Sequence, residues 1–218
     1  MSNTDLPNPF DPEGKPSFEP WPKMGRLSRE CIITEKIDGT NAQIFINDCG
    51  QIFAGSRTRW ITPTNDNYGF AGWVERNKEE LLKLGPGRHF GEWWGAGIQR
   101  RYGVESKRFS LFNTLRWQPD CEARSVEEWG TLVHRVVDKD GNRCGCVGVV
   151  PVLYRGPFDT IAIHSCLASL QFTGSVAAPG FMQPEGIVIY HVAAGIAFKK
   201  TIVGDESPKT KFDSANPN

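Results

Sequence analysis

Lysine 36 stands where lysine is seldom found. The run Glu35-Lys36-Ile37-Asp38-Gly39-Thr40-Asn41 sets an amine at the end of a β-branched, apolar segment with acids on both sides. Burial disfavours the charged form of an amine, and the neutral form is the nucleophile. A free lysine titrates near pH 10.4, so only about one in a few thousand is neutral at pH 7. Activation therefore needs a much lower pKa or a neighbouring base. Gly39 allows a tight backbone beside a bulky ligand. For a lone K-x-D-G tetrapeptide, the plain alternative is a strand-end lysine paired with Asp38.

Further runs with chemical potential follow in order: Gly55-Ser56-Arg57, Phe90-Gly91-Glu92-Trp93-Trp94-Gly95, Phe109-Ser110-Leu111-Phe112-Asn113, Pro184-Glu185-Gly186-Ile187-Val188-Ile189, and Phe198-Lys199-Lys200. Each is weak alone. The ordered set resembles the covalent nucleotidyltransferases, which comprise ATP-dependent RNA and DNA ligases and mRNA capping enzymes. The heptapeptide EKIDGTN is most similar to the RNA ligases of the RNA ligase 2 type, and the resemblance spans Glu35 to Lys200.

That resemblance implies a role for each position. Lys36 would attack the α-phosphorus of ATP, expel pyrophosphate and hold AMP covalently. Glu35 matches the residue that reads the adenine amino group, and Asn41 an asparagine needed near the phosphates. Arg57, a permanently charged fork, would hold phosphate or the RNA end; its alternative is a surface arginine. Glu92 matches the ribose-binding glutamate, with Gly91 and Gly95 letting the backbone approach. Phe112 matches the ring that stacks on adenine, although Phe109 and Phe112 could both be core. Asn113 replaces the usual aspartate. Glu185 would engage a hydrated magnesium, with manganese the alternative metal, and Ile187 would line the nucleotide site beside it. Magnesium keeps much of its water, so one or two protein acids suffice. The last motif departs from the usual Lys-x-Lys. Adjacent Lys199 and Lys200 point to opposite faces of a strand, so one reaches the phosphate, and Lys199 is the expected one.

Elements must bring these residues together. Cys31 to Arg57 reads as strand, turn, strand. Phe70 to Leu84 has helical spacing. A second helix is expected from the capping box Ser125-Val126-Glu127-Glu128 through Val137, and a third from about Thr160 to Leu170. FMQPEGIVIYH and GIAFKKTIV read as paired strands, with Trp93 and Trp94 on opposite sides of another, one in the core and one in a cleft. The fold class is α+β, and the resemblance implies the nucleotidyltransferase (ligase adenylation domain, ATP-grasp-like) fold: two antiparallel sheets, flanking helices and a nucleotide groove between them. The expected organisation is a proline-rich arm over 1–22, a catalytic domain over 23–203 and a polar tail over 204–218. No OB-fold or extra C-terminal domain is expected in the remaining segments.

Composition bounds the rest. The chain has 218 residues, with 25 Lys plus Arg against 25 Asp plus Glu, which excludes a polycationic binder but not a local basic groove. The stretch Arg100-Arg101-Tyr102 through Lys107-Arg108 is such a groove or a solvated loop. Six cysteines lack zinc spacing and read as reduced thiols of a cytoplasmic protein. The four histidines suggest no role. No apolar run reaches the length a bilayer needs. The implied partner is RNA, with nicked duplex and RNA/DNA hybrid as possible forms, and a separate nucleic-acid-binding chain would supply any missing module. The alternatives are a DNA-nick ligase, a capping-type guanylyltransferase and a non-catalytic nucleic-acid-binding module.

Overall fold

Residues 18–120 and 135–205 are described by the computed structural model. The arm through residue 17, the capping-box helix over 125–134 and the tail after 205 lie outside the described residues.

The β-rich opening segment forms β1 (Glu30–Lys36), β2 (Thr40–Ile46) and β3 (Ile52–Ser56), followed by the short β4 (Trp60–Ile61). In β1 the five residues from Cys31 to Glu35 are all buried, so both of its faces are covered. β2 alternates, burying one face only. The single helix expected over 70–84 is broken into α1 (Phe70–Arg76), α2 (Lys78–Leu81) and a 3-10 turn over Leu82–Leu84. Asn77 causes the break. Its φ of -108° and ψ of 17° leave the helical region, and its side chain shares the Trp73 carbonyl with its own N–H, at 2.8 and 3.1 Å.

β5 (Gly87–Gly95), β6 (Lys107–Leu111), β7 (Trp117–Pro119), β8 (Val136–Asp138), β9 (Arg143–Cys144), β10 (Gly148–Val149) and β11 (Val152–Pro157) follow. Val136 and Val137, expected at the end of a helix, instead lie on β8 between β7 and β9. Helix α3 (Thr160–Thr173) starts at Asp159, whose carboxylate accepts from the Ile161 N–H. β12 (Gly186–His191) and β13 (Ile196–Thr201) complete the described elements.

The strands form a four-stranded sheet ordered β11-β1-β12-β13, a six-stranded sheet ordered β10-β6-β5-β2-β3-β4 and a small sheet ordered β7-β8-β9. The first is antiparallel throughout. The second contains one parallel pair, β10 with β6. The α+β class therefore holds, with a third sheet and a parallel contact added to the two antiparallel sheets expected.

Hydrophobic burial ties the layers together. Ile44, Phe70, Trp93, Phe109 and Trp117 pack in the core of the larger sheet. Ile33 and Ile187 pack against Cys166 and Leu170 of α3. Between these, Ile37, Trp94, Tyr102, Val150 and Ala177 form a third cluster. Trp93 and Trp94 are both fully buried, in different clusters, so neither is the exposed cleft wall that alternation suggested. A buried ring of this size contributes on the order of 2–3 kcal/mol. No helix among the described residues is long and apolar enough to cross a membrane.

Gly186 fixes how β12 meets β13. Its φ is 155°, and a Cβ there would lie 2.2 Å from the Lys200 carbonyl oxygen. Gly186→Ala should cost more than about 2 kcal/mol of stability by urea denaturation, because only backbone can give way. An unchanged midpoint would contradict this close approach.

Candidate functional site

The β1–β2 turn carries the chain in a short step from Lys36 on the four-stranded sheet to Asn41 on the six-stranded one. The two sheets flank a cleft of about 990 Å³, a size suited to a nucleotide. Lys36 sits at the end of β1, directly opposite Gly186 of β12. Its Nζ donates to Glu185 Oε2 at 2.5 Å, although 149 residues separate the two in sequence. The lysine side chain is 20% exposed and the Glu185 side chain 2%. The lysine is thus paired with Glu185 rather than with Asp38.

Across the cleft, Asn41 on β2 stands opposite Glu92 on β5. Glu92 Oε1 accepts from the Gly39 N–H at 3.0 Å, and Oε2 accepts from Asn41 Nδ2 at 2.9 Å. Burial pushes the Glu92 carboxyl up to about 7, against the opposing pull of the nearby Lys36 charge and these two hydrogen bonds. Gly39 lines the cleft, and a Cβ there would also meet the Trp93 carbonyl oxygen on β5 at 2.4 Å.

The other acid of the heptapeptide points elsewhere. Glu35, beside Lys36 on a strand, faces the loop that follows α3. Its Oε1 accepts from Ser175 Oγ at 2.5 Å, and its Oε2 from the Val176 and Ala177 N–H groups at 2.8 and 2.9 Å. Burial raises its pKa, and these three donors lower it. Glu35 still lines the cleft beside Lys36, and in this structure its carboxylate anchors the 175–177 loop. Ile187, expected to line the nucleotide site, is fully buried. Ile187 packs under α3, and Val188 lines the cleft in its place, because successive side chains of β12 alternate faces.

The adjacent lysines of β13 point to opposite faces. Lys199 lines the cleft, whereas Lys200 bonds Asp205 at 3.2 Å and lies opposite Ile187. Arg57 is exposed on the cleft edge. Phe112 is 42% exposed and borders the cleft, whereas Phe109 is fully buried, so the two rings do not share the core. Asn113 Oδ1 accepts from the Arg116 N–H at 3.0 Å, a turn contact that an aspartate oxygen could also make.

The basic stretch proves largely structural. Arg100 donates through Nε to Asp38 Oδ2 and through Nη1 to the Gln183 carbonyl, both at 2.9 Å. Tyr102, 2% exposed, accepts the Asp38 N–H at 2.7 Å through its hydroxyl. Lys107 donates to the Tyr68 carbonyl, and Arg108 lies over the Trp94 ring. Tyr102 is therefore not a ring on which a base can stack. Arg100 instead clamps the turn after Lys36 to the segment just before Glu185. Sequence reasoning missed this clamp; the acidic residue two places after the lysine was its one visible signal.

For a metal, the donor set consists of Glu185 and, across the cleft, Glu92. Among the described residues no group of three or more His, Cys, Asp or Glu side chains is arranged to hold a metal ion. One or two carboxylates fit magnesium that keeps its water and shares substrate phosphates, and do not fit a protein-only cage.

A family model described as RNA ligase matches residues 29–202. No curated protein matches the sequence. Among solved structures, an apo Naegleria gruberi RNA ligase variant is similar at 18% identity and TM-score 0.51, covering 81% of this chain and 50% of that one. A variant of the same ligase with ATP and Mn gives 18%, 0.52, 80% and 50%. Another, with AMP and Mn, gives 18%, 0.50, 80% and 50%. These likenesses show a shared fold, and the chain spans about half the length of the proteins it matches.

Two outcomes test the geometry. Arg100→Ala should lose about 1 kcal/mol of stability in chemical denaturation, a value reduced by its partial exposure, whereas Arg101→Ala should stay within about 0.5 kcal/mol. Equal effects would contradict the clamp. Glu92 binds its proton more tightly folded than unfolded. Folded protein therefore holds more protons between about pH 4.5 and 7, and stability falls as pH rises through that window. Glu92→Gln should remove a decline on the order of 2–3 kcal/mol, read from denaturation midpoints across pH; an unaltered pH profile would contradict the raised value.

Proposed function

The chain belongs to the RNA ligase family, and from that premise we propose that it joins RNA 5′-phosphate and 3′-hydroxyl ends at the expense of ATP, through AMP carried on Lys36. One observation carries this reading: the Lys36 amine and the buried Glu185 carboxylate are held 2.5 Å apart at a nucleotide-sized cleft.

An ammonium group cannot attack phosphorus until it loses a proton, and Glu185 is the acceptor within reach. The Lys36 nitrogen then forms a bond to the α-phosphorus, the α–β P–O bond breaks, and pyrophosphate leaves. An RNA 5′-phosphate oxygen next attacks the same phosphorus, breaking the P–N bond and restoring the lysine. Finally the 3′-hydroxyl attacks the activated 5′-phosphate and AMP departs. Little covalent work falls to the protein in these steps beyond Lys36; positioning and charge do the rest.

Lys199 and Arg57 are the cations placed for the phosphates, Asn41 and Glu92 the polar pair placed for the sugar side, and Phe112 the exposed ring placed for the base. Magnesium at Glu185 would neutralise phosphate charge. ATP and divalent-metal use is supported by the family and by the chemistry of these donors.

Incubation with α-labelled ATP and magnesium, followed by a denaturing gel, tests the reading. Label should stay on the wild-type chain and fall below detection in Lys36→Ala. Label persisting on Lys36→Ala would displace the nucleophile, and stronger labelling by GTP would move the chain to the capping class.

A further inference from the structure

The outward face of the larger sheet carries a feature that the adenylation chemistry does not use. Along β2 this face presents Asn41, Gln43 and Phe45, and along β5 their register partners are Glu92, Phe90 and Arg88. The first pair lies inside the cleft. The last leads to three rings, Phe45, Phe53 and Trp60, with centroids 6.1–6.2 Å apart. Phe53 and Trp60 are 43% and 49% exposed. The Arg88 guanidinium lies 4.8 Å from the Phe45 ring centre and 5.4 Å from that of Trp60, and a hydrogen bond to Gln43 Oε1 at 3.0 Å holds it there.

A cluster of exposed rings on a sheet face needs a reason, because such surface costs free energy in water. A partner protein that buried this patch would also have to bury the Arg88 charge, which disfavours an apolar occupant. Flat rings with an interleaved guanidinium suit unpaired bases and their phosphates. The patch is also continuous with the cleft, since Arg88 lines both. From Asn41 to Phe45 is four residues, about 13 Å at about 3.3 Å each. That equals three to four stacked nucleotides at about 3.4 Å per step.

We propose that Phe45, Phe53 and Trp60, with Arg88 among them, form a stacking platform for unpaired RNA nucleotides next to the end being joined. The RNA identity of the occupant rests on the ligase reading; the platform itself rests on the rings and their continuity with the cleft. It would hold the strand without reading its sequence, because every base offers a flat face.

Fluorescence anisotropy with a single-stranded RNA of about ten nucleotides tests this on the full chain, beside the α-labelled ATP assay. Phe53→Ala and Trp60→Ala should each weaken RNA binding about tenfold while leaving lysine labelling unchanged, and Trp60→Phe should retain most of the affinity. Unchanged RNA affinity in both alanine variants would overturn the platform and leave the ligase reading intact. Weakened RNA binding by variants of a chain that never takes up label would keep the platform and overturn the ligase reading. If an alanine variant loses labelling as well, Phe53→Leu decides: it keeps apolar bulk and removes the ring, so retained affinity overturns the proposal and lost affinity supports it.

Discussion

A lysine and a glutamate that share a proton-transfer distance inside a mostly dry environment constrain everything around them. Separated, Glu185 would be a buried charge without its cation, a state costing several kcal/mol. The pair therefore ties the end of β1 to the start of β12, and the register of the smaller sheet follows. Gly186 is needed where these strands meet, and Arg100 braces the same junction from outside through Asp38 and Gln183. These contacts together hold one amine beside one acid.

Three buried carboxylates, Glu35, Glu92 and Glu185, lie around the β1–β2 turn, and their partners separate them. Glu185 takes the lysine itself. Glu35 is satisfied by a hydroxyl and two backbone N–H groups and serves the 175–177 loop. Glu92 keeps weaker compensation and so titrates near neutrality. A carboxyl poised at such a value can accept hydrogen bonds without adding a full negative charge to the cleft. The cations Lys199, Arg57 and Arg88 on the rim bias the same space toward anions.

Much of this was legible in the sequence. The order of the short motifs carried the fold class, and the position of Lys36 at the end of a β-branched run marked the amine proposed here as the nucleophile. Adjacent lysines at 199 and 200 had to split between faces, which a period of two dictates. Other features needed the third dimension. Ile187 and Val188 can be told apart only once the pairing of β12 is known. Glu35 finds donors 140 residues away, and no local pattern announces Ser175. Arg100 resembled a solvated charge because its partners, Asp38 and Gln183, lie in distant segments. The helix expected over 70–84 is interrupted at Asn77, whose φ of -108° and ψ of 17° leave the helical region.

The claim that Glu185 makes Lys36 reactive is met most directly by the pH dependence of AMP attachment in a single turnover, compared between wild type and Glu185→Gln. General-base assistance contributes about 10²- to 10⁴-fold. The account predicts that the variant attaches AMP at least about a hundredfold more slowly near pH 7, with part of the loss recovered as rising pH deprotonates the amine without help. Equal rates near pH 7 would contradict it, because the acid beside the lysine would then have no part in its reactivity.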